Sequence, residues 1–221
     1  MSGISRYNNP PSNSNFQAWS QLEQKKLTYY LVVFCLKSNP SNLHQLRIHL
    51  KKAKTIELTL QESSSNTHSI PPMTNLHQLL KKSGRARQQD VECKLLKRWN
   101  VGSKKWRKQQ LLTSRKSRKK LARFISNHLE QLLSDLISLR DIEAISNEKA
   151  AEFANRLSDE VRISLQLEWA TSGLHGLRKR LKHLLFTLEW WNESQINTLP
   201  NFTKSDLSAL EKSIGQWHDQ L

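Results

Sequence analysis

The stretch NLHQLRIHLKKAK, residues 42–54, decides the fold, because it combines the periodicity of an amphipathic helix with a surplus of positive charge. Its apolar side chains recur at three-four spacing: Leu43, Leu46, Leu50 and Ala53. One position later, polar and basic side chains recur at the same spacing: His44, Arg47, Lys51 and Lys54. Neighbouring helical positions differ by about 100°, so the pattern predicts an apolar seam flanked by a cationic stripe.

The same pattern returns 131 residues later, which indicates an internal duplication. LHQLRIHLK at 43–51 aligns with LHGLRKRLK at 174–182, and six of the nine positions are identical. At the same offset, LLKKSGRARQ at 79–88 aligns with LEKSIGQWHD at 210–219. The second seam comprises Leu174, Leu177, Leu181 and Leu184, and the second stripe His175, Arg178 and Lys182. Two segments that agree at one offset favour a duplicated helical unit over coincidence.

Like charges face one another along both stripes. Each pair of like charges three or four positions apart destabilises a helix by a few tenths of a kcal/mol. Arg47–Lys51 and Arg178–Lys182 are such pairs, and no acidic residue lies between positions 42 and 56. An anionic ligand would remove the repulsion and accept charge-assisted hydrogen bonds. The missing acids therefore predict a polyanion site.

The rest of the chain is also helical in pattern, which predicts an all-α fold of internally duplicated antiparallel bundles. We expect helices at about 22–36, 42–60, 73–83, 103–140, 144–169, 174–191 and 204–214, with a further helical stretch after Gly84 that reaches about Trp99. Ser41 or Asn42 is expected to cap the second helix, and Thr203 with Asp206 resembles a capping box. Residues 1–18 are rich in Asn, Ser and Pro and predict a disordered leader.

The helical domain is expected to cover 19–221, with repeat 1 at about 19–142 and repeat 2 at about 144–221. The first repeat continues into VECKLLKRWN after its glycine-containing segment, whereas the second repeat stops at Leu221. We therefore expect the second repeat to be shorter than the first. The apolar run LTYYLVVFCL has ten residues, too few to span a bilayer. Cys35 and Cys93 are too few for a disulfide framework, and we interpret both as structural residues of a cytoplasmic protein.

The net charge of +16, from 35 Lys and Arg against 19 Asp and Glu, predicts attraction to polyanions. Cys93–Leu129 contains 13 basic residues and no acidic residue. We interpret this segment as a secondary basic surface, with the following members: Lys104, Lys105, Arg107, Lys108, Arg115, Lys119 and Arg123.

The duplicated motif resembles the CHAD family, the conserved histidine α-helical domain, over roughly residues 20–221. The family pattern His-x-x-Arg-x-x-x-(Arg/Lys)-(Arg/Lys)-x-(Arg/Lys) matches the first copy in full, at His44, Arg47, Lys51, Lys52 and Lys54. The second copy has His175, Arg178 and Lys182, with His183 and Leu185 at two usually basic positions. A Gly-x-x-(Arg/His)-Asp motif follows each copy, from Gly84 to Arg87 with Gln88 in place of Asp, and from Gly215 through His218 to Asp219.

The resemblance implies two four-helix bundles related by a pseudo-twofold axis, with a basic central groove. It also implies non-catalytic binding of inorganic polyphosphate, at polyphosphate granules. The implied phosphate-binding set is His44, Arg47, Lys51, Lys52, Lys54, Arg87, His175, Arg178, Lys182, His183 and His218. Protonated His44 and His175 would donate stronger hydrogen bonds, so binding should strengthen as the pH falls from about 8 to about 6.

Two other functions remain open from the residues alone. Binding to the nucleic-acid backbone needs only a basic surface, although no recognised nucleic-acid motif occurs. A phosphohydrolase or phosphotransferase with a histidine nucleophile is chemically possible. The stripes contain no carboxylate cluster, however, and the sequence has no Walker loop, HExxH or paired-cysteine zinc pattern. We therefore expect neither catalysis nor a metal or other cofactor.

Overall fold

The computed structural model describes residues 16–63, 73–139, 147–166, 171–190 and 202–218. These residues form eight α-helices and no strand, which confirms the predicted all-α class. The helices are α1 (Phe16–Leu36), α2 (Pro40–Ser63), α3 (Thr74–Arg98), α4 (Lys104–Asn127), α5 (Leu129–Ser138), α6 (Asn147–Gln166), α7 (Thr171–Thr187) and α8 (Lys204–His218). Residues 1–15 of the predicted leader, nearly all of the two long predicted loops and Asp219 lie outside the described residues.

Helix α1 begins at Phe16, about six residues before the predicted start. Phe16 and Trp19 are buried, and the Phe16 ring packs edge-on against Trp190 with ring centroids 4.9 Å apart. The Trp19 indole also donates a hydrogen bond to Glu189 at 3.3 Å. These aromatic contacts stabilise the first turn of α1, although the polar residues that precede it in sequence predict disorder.

Other helix ends differ from the predictions by up to about four residues, and two of the differences have a clear local cause. Asn39, rather than Ser41 or Asn42, caps α2, because its side-chain oxygen accepts a hydrogen bond from the Asn42 amide at 2.7 Å. Pro40 then occupies the first helical position, where its lack of an N–H carries no penalty. The predicted helix at 103–140 is two helices, because His128 leaves the helical conformation (φ −122°, ψ 23°) and ends α4.

The chain forms two compact units. The first unit contains described residues 21–57 and 73–139, and the second contains 16–20, 58–63, 147–166, 171–190 and 202–218. Helices α1 and α2 therefore contribute residues to both units. The first motif, defined as His44, Arg47, Lys51, Lys52 and Lys54, lies in the first unit. The second motif, defined as His175, Arg178 and Lys182, lies in the second unit.

The core of the first unit contains the whole predicted seam of α2. The buried side chains from α1 to α5 include Leu27, Leu31, Phe34, Leu43, Leu46, Leu50, Ala53, Ile56, Leu76, Leu79, Leu121, Ile125, Leu132 and Leu136. Helix α3 packs against both α4 and α5. Asp135 of α5 accepts hydrogen bonds from the backbone amides of Asn75 at 2.9 Å and Leu76 at 3.0 Å, so it caps α3 from a neighbouring helix.

In the second unit, α7 packs against both α6 and α8. The buried core comprises Phe153, Leu157, Val161, Leu177, Leu181, Leu184, Leu188, Leu207 and Ile214. Leu174, the first residue of the predicted seam, is only partly buried. The predicted capping box is confirmed: the Thr203 amide donates to Asp206 at 2.8 Å, and the Asp206 amide donates to the Thr203 hydroxyl at 3.2 Å.

Candidate functional site

Arg47 of the first motif is half-buried between α2 and α3. Its Nη1 atom donates hydrogen bonds to the Leu80 carbonyl at 3.1 Å and to the Ser83 hydroxyl at 2.9 Å. A Cβ at Gly84 would lie 3.2 Å from the same nitrogen, so the glycine makes room for the guanidinium. Burial, together with the positive charge of Arg87, lowers the pKa of Arg47 from its ordinary value. Arg47 therefore ties two helices together and lies in a locally positive environment.

Lys52, also in the first motif, is buried. It forms an ion pair with Glu23 of α1 at 3.3 Å. The same carboxylate binds His49 at 2.6 Å and Lys26 at 3.0 Å. Burial opposes the ionisation of Glu23, but the His49 hydrogen bond and the charge of Lys52 outweigh it and lower the pKa to about 2. We therefore assign Lys52 to the fold and leave it out of the proposed phosphate contacts.

Lys54, at the end of the first motif, has a partner one helical turn later. Its ammonium lies 2.8 Å from the carboxylate of Glu57, which also binds His77 of α3 at 2.6 Å. Glu57 is fully buried, and although burial opposes its ionisation, the hydrogen bonds from Lys54 and His77 lower its pKa. Lys54 is thus held at the edge of the core, with part of its charge already compensated.

In the second motif, both cations bind one carboxylate oxygen. Arg178 Nε and Lys182 Nζ each lie 2.9 Å from Oε1 of Glu211 on α8. Burial of the Glu211 carboxyl favours its neutral form, but Lys182 and then Arg178 outweigh burial and lower its pKa. A Cβ at Gly215 would lie 2.6 Å from Arg178 Nη2, so this guanidinium also lies against a glycine of the next helix.

Although residues 42–56 contain no acid, two cations of the first motif, Lys52 and Lys54, have carboxylate partners. The carboxylates come from α1 and from the end of α2, at Glu23 and Glu57, and in the second motif from α8, at Glu211. The inference from missing acids is wrong for Lys54, because the acid-free interval 42–56 stops just before Glu57. Lys52 likewise has a carboxylate partner, on α1. These three carboxylates are the site residues that the sequence interpretation missed.

The remaining predicted site residues differ in exposure. His44 and His175 are exposed, whereas Lys51, Arg87 and His183 are half-buried. The side chain of His218 lies outside the described part of the chain. Exposed imidazoles on the two motif helices have access to a ligand in solution, so both stay in the candidate site.

The secondary basic surface lies on α4 and is the most open cluster of cations in the described residues. Six of its members are exposed, namely Lys104, Lys105, Lys108, Arg115, Lys119 and Arg123. Arg107 is half-buried and donates a hydrogen bond to the side chain of Asn100. No ion pair joins any of these six to an acid in the described ranges. The six side chains follow the exposed face of α4 for about 29 Å, at 1.5 Å per residue.

Arg118 of α4 has a different role, because it points into the first unit. Its guanidinium forms a buried ion pair with Asp90 of α3 and donates to the Ser38 carbonyl at 2.9 Å. Ser114 also donates a hydrogen bond to Asp90. This polar cluster fixes α4 against α3, so that the opposite face of α4 stays in solvent.

Among the described residues, no group of three or more His, Cys, Asp or Glu side chains is arranged to hold a metal ion. Within the same ranges, no helix has both the length and the apolar character that crossing a bilayer requires.

No protein-family model matches the sequence, and no curated protein matches it. The fold is similar to the crystal structure of the CHAD domain from the plant Ricinus communis, with a TM-score of 0.71. The alignment covers 92% of this chain and 73% of the plant chain, at 14% sequence identity. The chain therefore has a CHAD-like helical fold.

Proposed function

We propose that this protein binds inorganic polyphosphate and does not hydrolyse or transfer it. The observation that carries the proposal is the outer face of α4, where six exposed Lys and Arg residues have no acidic partner among the described residues. A row of uncompensated cations along one helix attracts a linear polyanion and gains from counterion release. Exposed His44 and half-buried Lys51 of the first motif add further contacts.

Polyphosphate is favoured over other polyanions by the CHAD-like fold and the duplicated His-x-x-Arg-x-x-x-Lys motif. Lys acts as a mobile point charge and Arg binds two oxygens at once, and both suit a flexible chain of identical phosphates. Nucleic acid is the second candidate, because the basic surface of α4 also suits a phosphate backbone. Cytoplasmic location at polyphosphate granules belongs to the same proposal.

Competition separates the two candidates. Labelled long-chain polyphosphate is bound to the full chain, and unlabelled polyphosphate, single-stranded DNA or double-stranded DNA is added at matched phosphate concentration and salt. We expect polyphosphate to displace the label at a concentration at least tenfold lower than either DNA. Equal competition by DNA would show general polyanion binding and overturn the assignment of polyphosphate.

A charge-removal variant tests the role of α4. Replacing Lys108, Arg115 and Lys119 with Gln removes three exposed cations from its outer face. We expect weaker binding and a slope of log affinity against log salt that is smaller by about two, since each lost phosphate contact reduces the slope by about 0.7.

The matched control replaces three exposed lysines elsewhere, Lys25, Lys37 and Lys179, with Gln and removes the same total charge. It should leave the salt slope close to that of the native chain. If both triple variants lose affinity equally, net charge rather than the α4 surface determines binding. Incubation with polyphosphate should release no orthophosphate, and steady release would contradict the non-catalytic proposal.

A further inference from the structure

The turn between α3 and α4, residues 99–103, exposes large apolar side chains to solvent. Trp99 is 53% exposed and Val101 49%, and Trp106 in the first turn of α4 is 40% exposed. We call these three side chains the apolar tip. Leu111 and Leu112, farther along α4, are also exposed. Because apolar side chains gain free energy when they leave water, such a cluster indicates a surface that another molecule covers.

Hydrogen bonds fix the conformation of this turn. The Val101 amide donates to the Leu96 carbonyl at 3.1 Å, and the Ser103 hydroxyl accepts from the Trp106 amide at 3.2 Å. Gly102 has φ +77°, and a Cβ at this position would lie 2.4 Å from the Trp106 ring, so the indole packs directly over the glycine. The apolar tip is therefore presented by an ordered turn.

A cavity of about 370 Å³ lies between the end of α3 and the start of α4, the helices that the turn joins. Leu96 and Leu111 line it, together with four basic side chains: Lys97, Lys104, Arg107 and Lys108. The sequence around the cavity supplies no countercharge, because no Asp or Glu occurs from Cys93 to Leu129. Pockets that combine apolar walls with a few charged groups select ligands of the same mixed character. The cavity therefore suits a phosphate group that is attached to an apolar body.

We propose that the apolar tip docks on a membrane surface that contains anionic phospholipids. The indoles of Trp99 and Trp106 enter the headgroup layer, while the neighbouring cations bind lipid phosphates. Polyphosphate does not explain this surface, because it carries no apolar part that could cover Trp99 or Leu111. Lipid docking goes beyond the proposed function and does not rest on it, although Lys104 and Lys108 also belong to the secondary basic surface.

Sedimentation with vesicles tests the docking. The full chain should bind vesicles of equimolar phosphatidylglycerol and phosphatidylcholine, and bind phosphatidylcholine vesicles much more weakly. Replacing Trp99 and Val101 with Gln should weaken binding to the anionic vesicles by about tenfold or more, because it removes apolar surface and leaves the charge unchanged. Replacing Val32 and Leu36 with Gln is the control, since both are exposed apolar residues of α1 in the same unit.

Three results of the vesicle assay would overturn the proposal: no binding of the native chain to anionic vesicles, equal binding to both kinds of vesicle, or equal losses in the two double variants. The variant with Gln at 99 and 101 should keep its polyphosphate affinity within about twofold, because its cations are intact. An equal loss of polyphosphate affinity would contradict lipid docking. Failure of the proposed function is distinguishable, because polyphosphate binding would then be absent from the native chain.

Fluorescence shows whether the indoles enter the lipid. Trp99→Phe combined with Trp106→Phe keeps both positions apolar, so this variant should still bind anionic vesicles. Quenching of its tryptophan fluorescence by brominated acyl chains should nevertheless fall by more than about half relative to the native chain. Unchanged quenching would show that the apolar tip stays outside the lipid. If the indoles of the native chain bind single-stranded DNA by base stacking and not vesicles, the lipid assignment is also wrong.

Discussion

Replacing Glu23 with Gln should destabilise the first unit strongly. Glu23 is 2% exposed and accepts contacts from His49, Lys52 and Lys26. Its pKa is lowered from 4.5 to about 2, a difference of roughly 2.5 units. At 1.36 kcal/mol per unit, the ionised carboxylate contributes about 3 kcal/mol to the free energy of unfolding at neutral pH. Loss of one partner from a buried ion pair has a similar typical cost, about 3–5 kcal/mol.

The destabilisation caused by Glu23→Gln should depend on pH, and the direction follows from the lowered pKa of Glu23. The pKa of Glu23 is lower in the folded than in the unfolded chain, so its stabilisation is complete above about pH 4.5 and is lost as the pH falls towards 2. The difference in unfolding free energy between the native chain and Glu23→Gln should therefore be about 3 kcal/mol at pH 7. It should shrink by about 1.4 kcal/mol per unit below pH 4.5.

Urea unfolding followed by circular dichroism at several pH values measures this difference. Taking the difference between two variants cancels the titration of every carboxylate that they share. Glu92→Gln is the control, because Glu92 is an exposed residue of the same unit. Its effect should stay within about 0.5 kcal/mol. A loss below about 1 kcal/mol for Glu23→Gln, or a difference that is constant with pH, would refute the assigned role of the Glu23 network.

Three other substitutions have clear expectations in the same unfolding assay. Arg118→Met leaves the Asp90 carboxylate buried without its ion-pair partner and should cost about 3–5 kcal/mol, and adding Asp90→Asn should recover part of that loss. Asp135→Ala removes the cap from the first amides of α3 and should cost about 1 kcal/mol, whereas Asp135→Asn should cost less. Gly102→Ala should cost about 1–3 kcal/mol, because Gly102 has φ +77° and an added Cβ would lie 2.4 Å from Trp106. A neutral result for any of these would contradict the contact on which it depends.

Local spacing predicted the parts of the fold that depend on neighbours within one or two helical turns. The seam of α2 is buried as expected, and the capping box at Thr203 forms as its sequence indicates. The start of α1 was mispredicted, because the Asn, Ser and Gln residues around Phe16 and Trp19 predict disorder. The two aromatic side chains are nevertheless buried, and Phe16 packs against Trp190. Their partner Trp190 is more than 170 residues away in sequence, where periodicity carries no information.

The candidate site was predicted less completely, for the same reason. The partners of the motif cations lie 29 residues away for Lys52 and 33 residues away for Arg178. Comparison of the repeats nevertheless contained a usable signal. The offset that aligns the two motifs places Glu211 opposite Leu80, a charge opposite an apolar residue, on the helix that follows the motif. Such a difference between copies indicates that their environments differ.

The surplus of positive charge must lie on the surface of the protein, and the ion pairs show which of the cations are already compensated. Pairing with Glu23, Glu57 and Glu211 compensates much of the charge that the motifs present. The α4 segment is acid-free in sequence, and its six exposed cations also have no acidic partner among the residues that the structure describes. Repulsion along that face is relieved only by water, salt or a bound polyanion. Absence of acids therefore indicates a binding surface on α4, where folding supplies no carboxylate, more strongly than it does on the motif helices.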